Sequence, residues 1–285
     1  MAHPPSPPPR RAGAVPALVA LLALAALPGA ARGAEASGRA AAAPSQARLL
    51  AGRDAQGHPV AGLEIRLAPG FITYWRDPGD AGVPPTFSFT GSTNLRSATL
   101  LYPAPRRLDE AGAVAFGYTG AVTFPVLVTP VDPKQPVALA VAFDYAVCHD
   151  ICLPAHADLR VSLDGKPSEA ADAVAAALAS VPRPSALGGP GTPAVAGLVP
   201  GADGGFSVTA TGAGAGSALF VEAPEGWAYE VGTARQAGAE TVFPVKRVER
   251  PAGADRLPGP LTVTLVAPSG AVEVPVTLDA AGNAP

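Results

Sequence analysis

The chain has 285 residues, 48% of them hydrophobic and 15% charged, with 32 glycines, 34 prolines and a formal net charge of −3. It is too apolar to be disordered throughout. It is too weakly charged, and of the wrong sign, to bind nucleic acid by neutralising phosphates, so no nucleic-acid partner is expected.

The N-terminus reads as a targeting segment. Arg10 and Arg11 precede an unbroken apolar run, Ala14 to Leu27, and small residues follow around Ala31 and Gly33. This is the pattern of a secretory signal over residues 1–33. The run is short of the roughly 20 residues that span a bilayer. No later segment has spanning length, so no transmembrane segment is expected in the mature chain. Export also carries the thiols out of the reducing cytosol, to the periplasm in a two-membrane cell.

Residues 34–47 are small and of low complexity and are expected to form a tether. From Arg48 the texture changes. Leu63 to Leu67 alternates apolar and polar, and Phe71 to Trp75 is aromatic and β-branched behind Pro69-Gly70. Further strands are predicted at 86–89, 97–102, 113–118, 122–129, 137–145 and 157–163, separated by turn signals such as Pro84-Pro85, Asp132-Pro133 and Asp164-Gly165. Short strands without helical periodicity between them predict an antiparallel sandwich over residues 48–165. A helix is expected from Ser168 to Val181, with Ser168 as its cap and Pro182 as its stop. Within the segment 166–204, a Pro- and Gly-rich linker follows the helix. A second, smaller β domain is predicted over residues 205–285, with strands at 206–210, 218–222, 227–231, 241–248, 261–267 and 271–278. This second unit contains neither Cys nor His.

The two cysteines of the chain, Cys148 and Cys152, stand at the end of one strand and the start of another. A hairpin tip brings such a pair within disulfide distance. Closing about five residues stabilises a fold by only about 2 kcal/mol on the chain-entropy model. That favours a redox-active pair over a structural staple, although the staple stays open. His149, between the cysteines, is a candidate to tune the thiols, whereas Asp150 would oppose thiolate charge. A metal site also stays open. Cys148, Cys152 and His156 recur at four-residue steps, and sulfur with imidazole suits zinc or copper(I). Pro154 argues against the helix that would align them.

Four stretches together resemble a known family: Tyr74 through Pro85, Gly91 to Leu95, Tyr102 to Pro105, and Asp144 through Ala155 with its C-x3-C pair. They are similar to the N-terminal periplasmic domain of DsbD-type thiol:disulfide interchange proteins, and closer to the ScsB-like branch, where a C-x3-C pair is followed by an apolar residue and Pro. The resemblance implies an immunoglobulin-like, all-β domain with one reversible pair, Cys148 and Cys152, and no cofactor. It implies a membrane-embedded electron donor of DsbD or CcdA type and thioredoxin-fold periplasmic acceptors. It also implies a cap over the pair. Asp109, Glu110 and Phe116 align loosely with the family's cap, and Tyr74 and Trp75 fall where its aromatics approach the site. Two features depart from the pattern. The cysteines are closer in sequence than in the best-known members, and the transmembrane and thioredoxin domains of full-length DsbD do not follow here. Electrons would therefore come from a separate membrane protein. The alternative function is periplasmic copper or zinc handling by Cys148, Cys152 and His156.

Overall fold

The structure, a computed structural model, describes residues 1, 40–42, 44–80, 82–110, 112–166, 168–201, 203–253 and 260–277. The signal segment expected over 1–33 lies outside them apart from Met1. No helix among the described residues is long and apolar enough to cross a membrane.

The fold is all-β, as two successive sandwiches of mainly antiparallel strands. The first uses β1 (Ala40–Ala42), β2 (Ser45–Arg53), β3 (Pro59–Leu67), β4 (Ile72–Gly79), β5 (Thr86–Ser88), β6 (Leu95–Leu100), β7 (Arg106–Glu110), β8 (Ala113–Thr119), β9 (Ala121–Pro130), β10 (Val137–Cys148) and β11 (Cys152–Leu163). One sheet runs β1-β2-β3-β9-β6 and the other β11-β10-β4-β8-β7, with β5 pairing β10. Between them lie Leu49, Leu63, Ile65, Phe124, Leu139, Val141 and Phe143, all essentially inaccessible. This is the antiparallel sandwich that the strand pattern predicts, and the immunoglobulin-like, all-β domain that the resemblance implies.

A helix, α1 (Ala171–Ala179), follows. It packs Val174 onto Leu50 and Val60, the outer face of the first sheet. Two glycines make the approach possible, because a Cβ on Gly52 would lie 2.7 Å, and one on Gly62 3.2 Å, from Val174 atoms. The helix begins later than expected. Ser168 Oγ accepts a bond from the Ala170 amide in a turn before it, and the N-cap is Ala170, with no side-chain cap.

The second sandwich comprises β12 (Arg183–Pro184), β13 (Ala194–Pro200), β14 (Phe206–Thr211), β15 (Ala218–Glu222), β16 (Ala228–Val231), β17 (Arg235–Ala237), β18 (Glu240–Glu249), β19 (Leu261–Ala267) and β20 (Gly270–Val276). Its sheets run β12-β20-β19-β15 and β13-β14-β18-β16, with β17 on β18. Val208, Phe243, Leu261, Leu265 and Val274 fill its core.

Three stretches differ from the sequence reading. β1 and the start of β2 fall within residues 34–47, expected as a tether. β13 falls within the segment expected as linker. β7 carries Arg-Arg-Leu-Asp-Glu, a charged edge strand that hydrophobic patterning does not reveal. In each case pairing with a neighbouring strand, rather than local composition, sets the conformation.

Candidate functional site

The site is built on the longest hairpin of the first sandwich. β10 and β11 stay in register for their full length, from Val137↔Leu163 to Cys148↔Cys152. His149, Asp150 and Ile151 make the tip. The two cysteines are therefore direct cross-strand neighbours, with Cα atoms 4.1 Å apart and their sulfurs bonded. Their exposure differs sharply. Cys148 is 1% exposed and sits among Ile72, Tyr74, Ala115 and Ala146. Cys152 is exposed, and so are its neighbours Ile151 at 73% and Leu153 at 41%.

Two side chains lie on the sulfurs. β4 meets the end of β10 at Ile72↔Cys148, and Thr73 Oγ1 donates to the Ala146 carbonyl across the same junction at 2.9 Å. That fixes Tyr74, whose hydroxyl oxygen lies 2.8 Å from Cys148 Sγ and 3.2 Å from Cys152 Sγ. The same hydroxyl donates to Glu110 Oε1 at 2.6 Å. Glu110 ends the edge strand β7, and its Oε1 lies 3.2 Å from Cys152 Sγ. Glu110 Oε2 is buried without a hydrogen-bond partner. Burial and the Glu110 carboxylate hold the Tyr74 phenol well above the ordinary tyrosine range, so it stays a proton donor at physiological pH.

Close backbone approach seats the tyrosine. Tyr74 stands opposite Gly117 on β8, where a Cβ would meet the Thr73 carbonyl oxygen at 2.1 Å. On its other side the chain after β4 returns over the ring at Gly82, where a Cβ would lie 2.6 Å from Tyr74 Cδ1.

The structure thus brings together Cys148, Cys152, Tyr74 and Glu110. It puts the other candidates elsewhere. Trp75, next to Tyr74 on the strand, points to the opposite face and is 1% exposed, against Phe220 of the second sandwich at 5.7 Å between ring centroids. Phe116 meets the same Phe220 at 5.0 Å. Asp109 is exposed and accepts a bond from the Gly112 amide in the β7–β8 turn. His149 packs its ring on Phe71 at 5.3 Å and pairs with Asp150 at 2.9 Å. His156 sits opposite Asp144 in the β10–β11 register and bonds it at 2.7 Å. Asp144 and Asp158 together raise its pKa above the ordinary histidine value. Four extended residues carry it about 13 Å along the strand from Cys152.

Among the described residues, the group whose donor atoms could converge on a metal is Glu110, Cys148 and Cys152, within 4.8 Å of one another. Bonded sulfurs cannot also serve as thiolate ligands, so metal and disulfide exclude each other. His156→Ala is expected to change thiol-exchange rates by less than about tenfold. It should also leave zinc binding by the reduced protein unchanged in calorimetric titration. A tight one-to-one zinc site lost in this variant would show that His156 reaches the pair.

Fold and site together define an immunoglobulin-like domain that carries a disulfide at a capped hairpin tip. A family model for the N-terminal domain of the thiol:disulfide interchange protein DsbD matches residues 41–163. Residues 41–163 are thus similar to the N-terminal domain of DsbD. The fold is similar to the crystal structure of the N-terminal periplasmic domain of ScsB from Proteus mirabilis. That likeness has a TM-score of 0.67 at 23% identity, covering 85% of this chain and 98% of that one, and so extends beyond the first sandwich. No curated protein sequence matches the chain.

Proposed function

We propose that this chain is a periplasmic dithiol carrier that passes electron pairs through Cys148 and Cys152. The observation that carries the reading is the asymmetry of the pair: one sulfur open at the tip, its partner sealed behind it. In the reduced protein the Cys152 thiolate attacks an acceptor disulfide. A mixed disulfide forms and one acceptor sulfur leaves as thiolate. Cys148 then attacks Cys152 Sγ, which releases the second acceptor sulfur and closes the protein's own disulfide. Two electrons pass to the acceptor, and two thiol protons leave the protein.

Glu110 bears on the first step in two opposite ways. Its carboxylate, 3.2 Å from Cys152 Sγ, opposes a thiolate there and is also the nearby acceptor for the thiol proton. Its unpartnered Oε2 leaves room to hold that proton. Tyr74 covers Cys148, its hydroxyl 2.8 Å from that sulfur and held there by donating to Glu110 Oε1. Ile151 and Leu153 offer an acceptor an apolar contact on either side of Cys152. The acceptors that fit are thioredoxin-fold proteins with an exposed disulfide, and the donor is a membrane-embedded dithiol protein of DsbD or CcdA type. Metal handling is the weaker reading, because His156 is engaged with Asp144 and leaves two sulfurs and one carboxylate as donors.

The test is thiol labelling of the full chain. The oxidised protein should show no reactive thiol, and mild reduction should expose two. On mixing with an oxidised thioredoxin-fold protein, both should pass to the acceptor. Thiols that survive oxidation by glutathione disulfide would exclude the carrier.

A further inference from the structure

The second sandwich carries no cysteine, yet it meets the first on the strands that hold the cap. Phe220, on β15, is 1% exposed and meets Trp75 on β4 and Phe116 on β8 edge to face. Arg76, the next residue on β4, forks onto Glu222 of β15, with Nε to Oε1 and Nη2 to Oε2 both at 2.7 Å. Its Nη2 also reaches Glu273 on β20. The guanidinium lies 4.7 Å from the Trp75 ring centroid and 5.7 Å from that of Tyr102. β4 holds Tyr74, and β8 pairs with both β4 and β7, the strand that ends in Glu110. One face of this strand group therefore touches the disulfide while the other is bolted to the second sandwich.

We propose that the second sandwich is a clamp, in which Phe220 and the Arg76–Glu222 fork hold β4 and β8 so that Tyr74 and Glu110 stay seated on Cys148 and Cys152. Phe220, Arg76 and Glu222 are positioning residues. They act through Tyr74 and touch no reacting atom. The role assigned to the cap rests on the exchange reading of the pair, but the seating itself does not.

The geometry explains why a clamp is needed. β4 pairs with β10 only at Ile72↔Cys148, and its ladder with β8 is broken between Tyr74 and Gly79. Past Tyr74 the strand has little backbone pairing of its own. Side-chain contacts from the second sandwich take over at Trp75 and Arg76, where the ladder stops. Residues packed in contact in this way couple energetically, whereas distant ones add.

The experiment measures the rate at which dithiothreitol reduces the oxidised full-length chain, in wild type and in Phe220→Ala, Phe220→Leu, Tyr74→Phe and the Phe220→Ala/Tyr74→Phe double variant. Phe220→Ala is expected to speed reduction by about fivefold, within the range that coupling through packed side chains gives. Phe220→Leu, which keeps most of the volume, should stay near wild type. Tyr74→Phe removes the hydroxyl from the sulfurs and should itself speed reduction, and adding Phe220→Ala to it should bring no further gain. An unchanged rate in Phe220→Ala, or fully multiplied effects in the double variant, would overturn the clamp. If Phe220→Ala does not fold, Glu222→Gln weakens the fork without opening a cavity and is read against Tyr74→Phe in the same way. Dithiothreitol reports the seating whatever the natural partner is. A wild-type disulfide that fails to exchange with glutathione would therefore remove the carrier reading and leave these ratios standing.

Discussion

Cys148→Ser should trap an acceptor as a stable mixed disulfide on Cys152, whereas Cys152→Ser should form none and lose exchange by at least about a thousandfold. The difference follows from burial. An acceptor disulfide can approach Cys152 in line at the hairpin tip, while Cys148 is 1% exposed behind Tyr74 and Ile72. With Cys148 gone, nothing resolves the adduct. With Cys152 gone, the remaining thiol cannot be reached. Folding should survive both changes. The bridge closes a loop of about five residues and contributes only about 2 kcal/mol on the chain-entropy model. A serine hydroxyl at position 148 would find the Tyr74 hydroxyl, which is 2.8 Å from the sulfur now there. Non-reducing electrophoresis of each variant mixed with an oxidised thioredoxin-fold protein reads the adduct. Equal trapping by both variants, or trapping by Cys152→Ser alone, would contradict the assignment of Cys152 as attacking sulfur.

The largest stability loss is expected from Trp75→Ala, at about 3–5 kcal/mol, the usual cost of removing a fully buried aromatic. Trp75 is the largest of the fully buried side chains, and it fills space in the core of the first sandwich and against Phe220 of the second. Its removal empties both sides of that contact and deprives Arg76 of the ring it lies over at 4.7 Å. Trp75→Phe keeps most of the volume. It also removes an indole Nε1 that is buried without a partner, so it should cost much less. Trp227 provides the control. It is half-buried beneath the Arg247 guanidinium at 5.8 Å, so its change to Ala should cost about 1 kcal/mol or less. Urea unfolding followed by far-ultraviolet circular dichroism gives all three values. A Trp75→Ala loss no larger than that of Trp227→Ala would contradict the packing described here.

Period-two alternation in the sequence locates most strands, since half-buried strands write their burial into every second residue. β10, for example, is visible from Val137 onward. The strands missed by that reading are those with no such alternation to show. β1 is three alanines and β7 is charged at an edge, whereas β3 shows its alternation at Leu63 to Leu67 and reads as a strand, its outer face covered by α1.

The site divides along a similar line. The cysteine pair and its hairpin are legible because Cys148 and Cys152 end and begin adjacent strands. The resemblance points to the two residues at the sulfurs, Tyr74 and Glu110. It also points to Trp75 and Phe116, which the structure places against Phe220. Strand alternation already puts Trp75 on the face opposite Tyr74, but it does not reveal what covers that face. Phe220 lies 145 residues further along the chain than Trp75, and no local pattern announces such a contact. The same holds for Arg76, whose partners Glu222 and Glu273 come from the second sandwich. His156, kept as an alternative metal ligand, shows the limit of spacing taken alone, which Pro154 already signals. Four-residue spacing suggests convergence only on a helix, and on β11 it takes the imidazole to Asp144 instead.

The reduction potential of the Cys148–Cys152 pair tests the carrier function most directly. Equilibration of the full chain with glutathione buffers of graded ratio, followed by counting of the two thiols, gives it. A carrier must be reduced by its donor and oxidised by its acceptor, so its potential should fall among those of exchanging dithiols, between about −270 and −120 mV. A pair that stays oxidised in every buffer, with a potential below about −300 mV, would behave as a structural bridge and contradict the reading of this chain as an electron carrier.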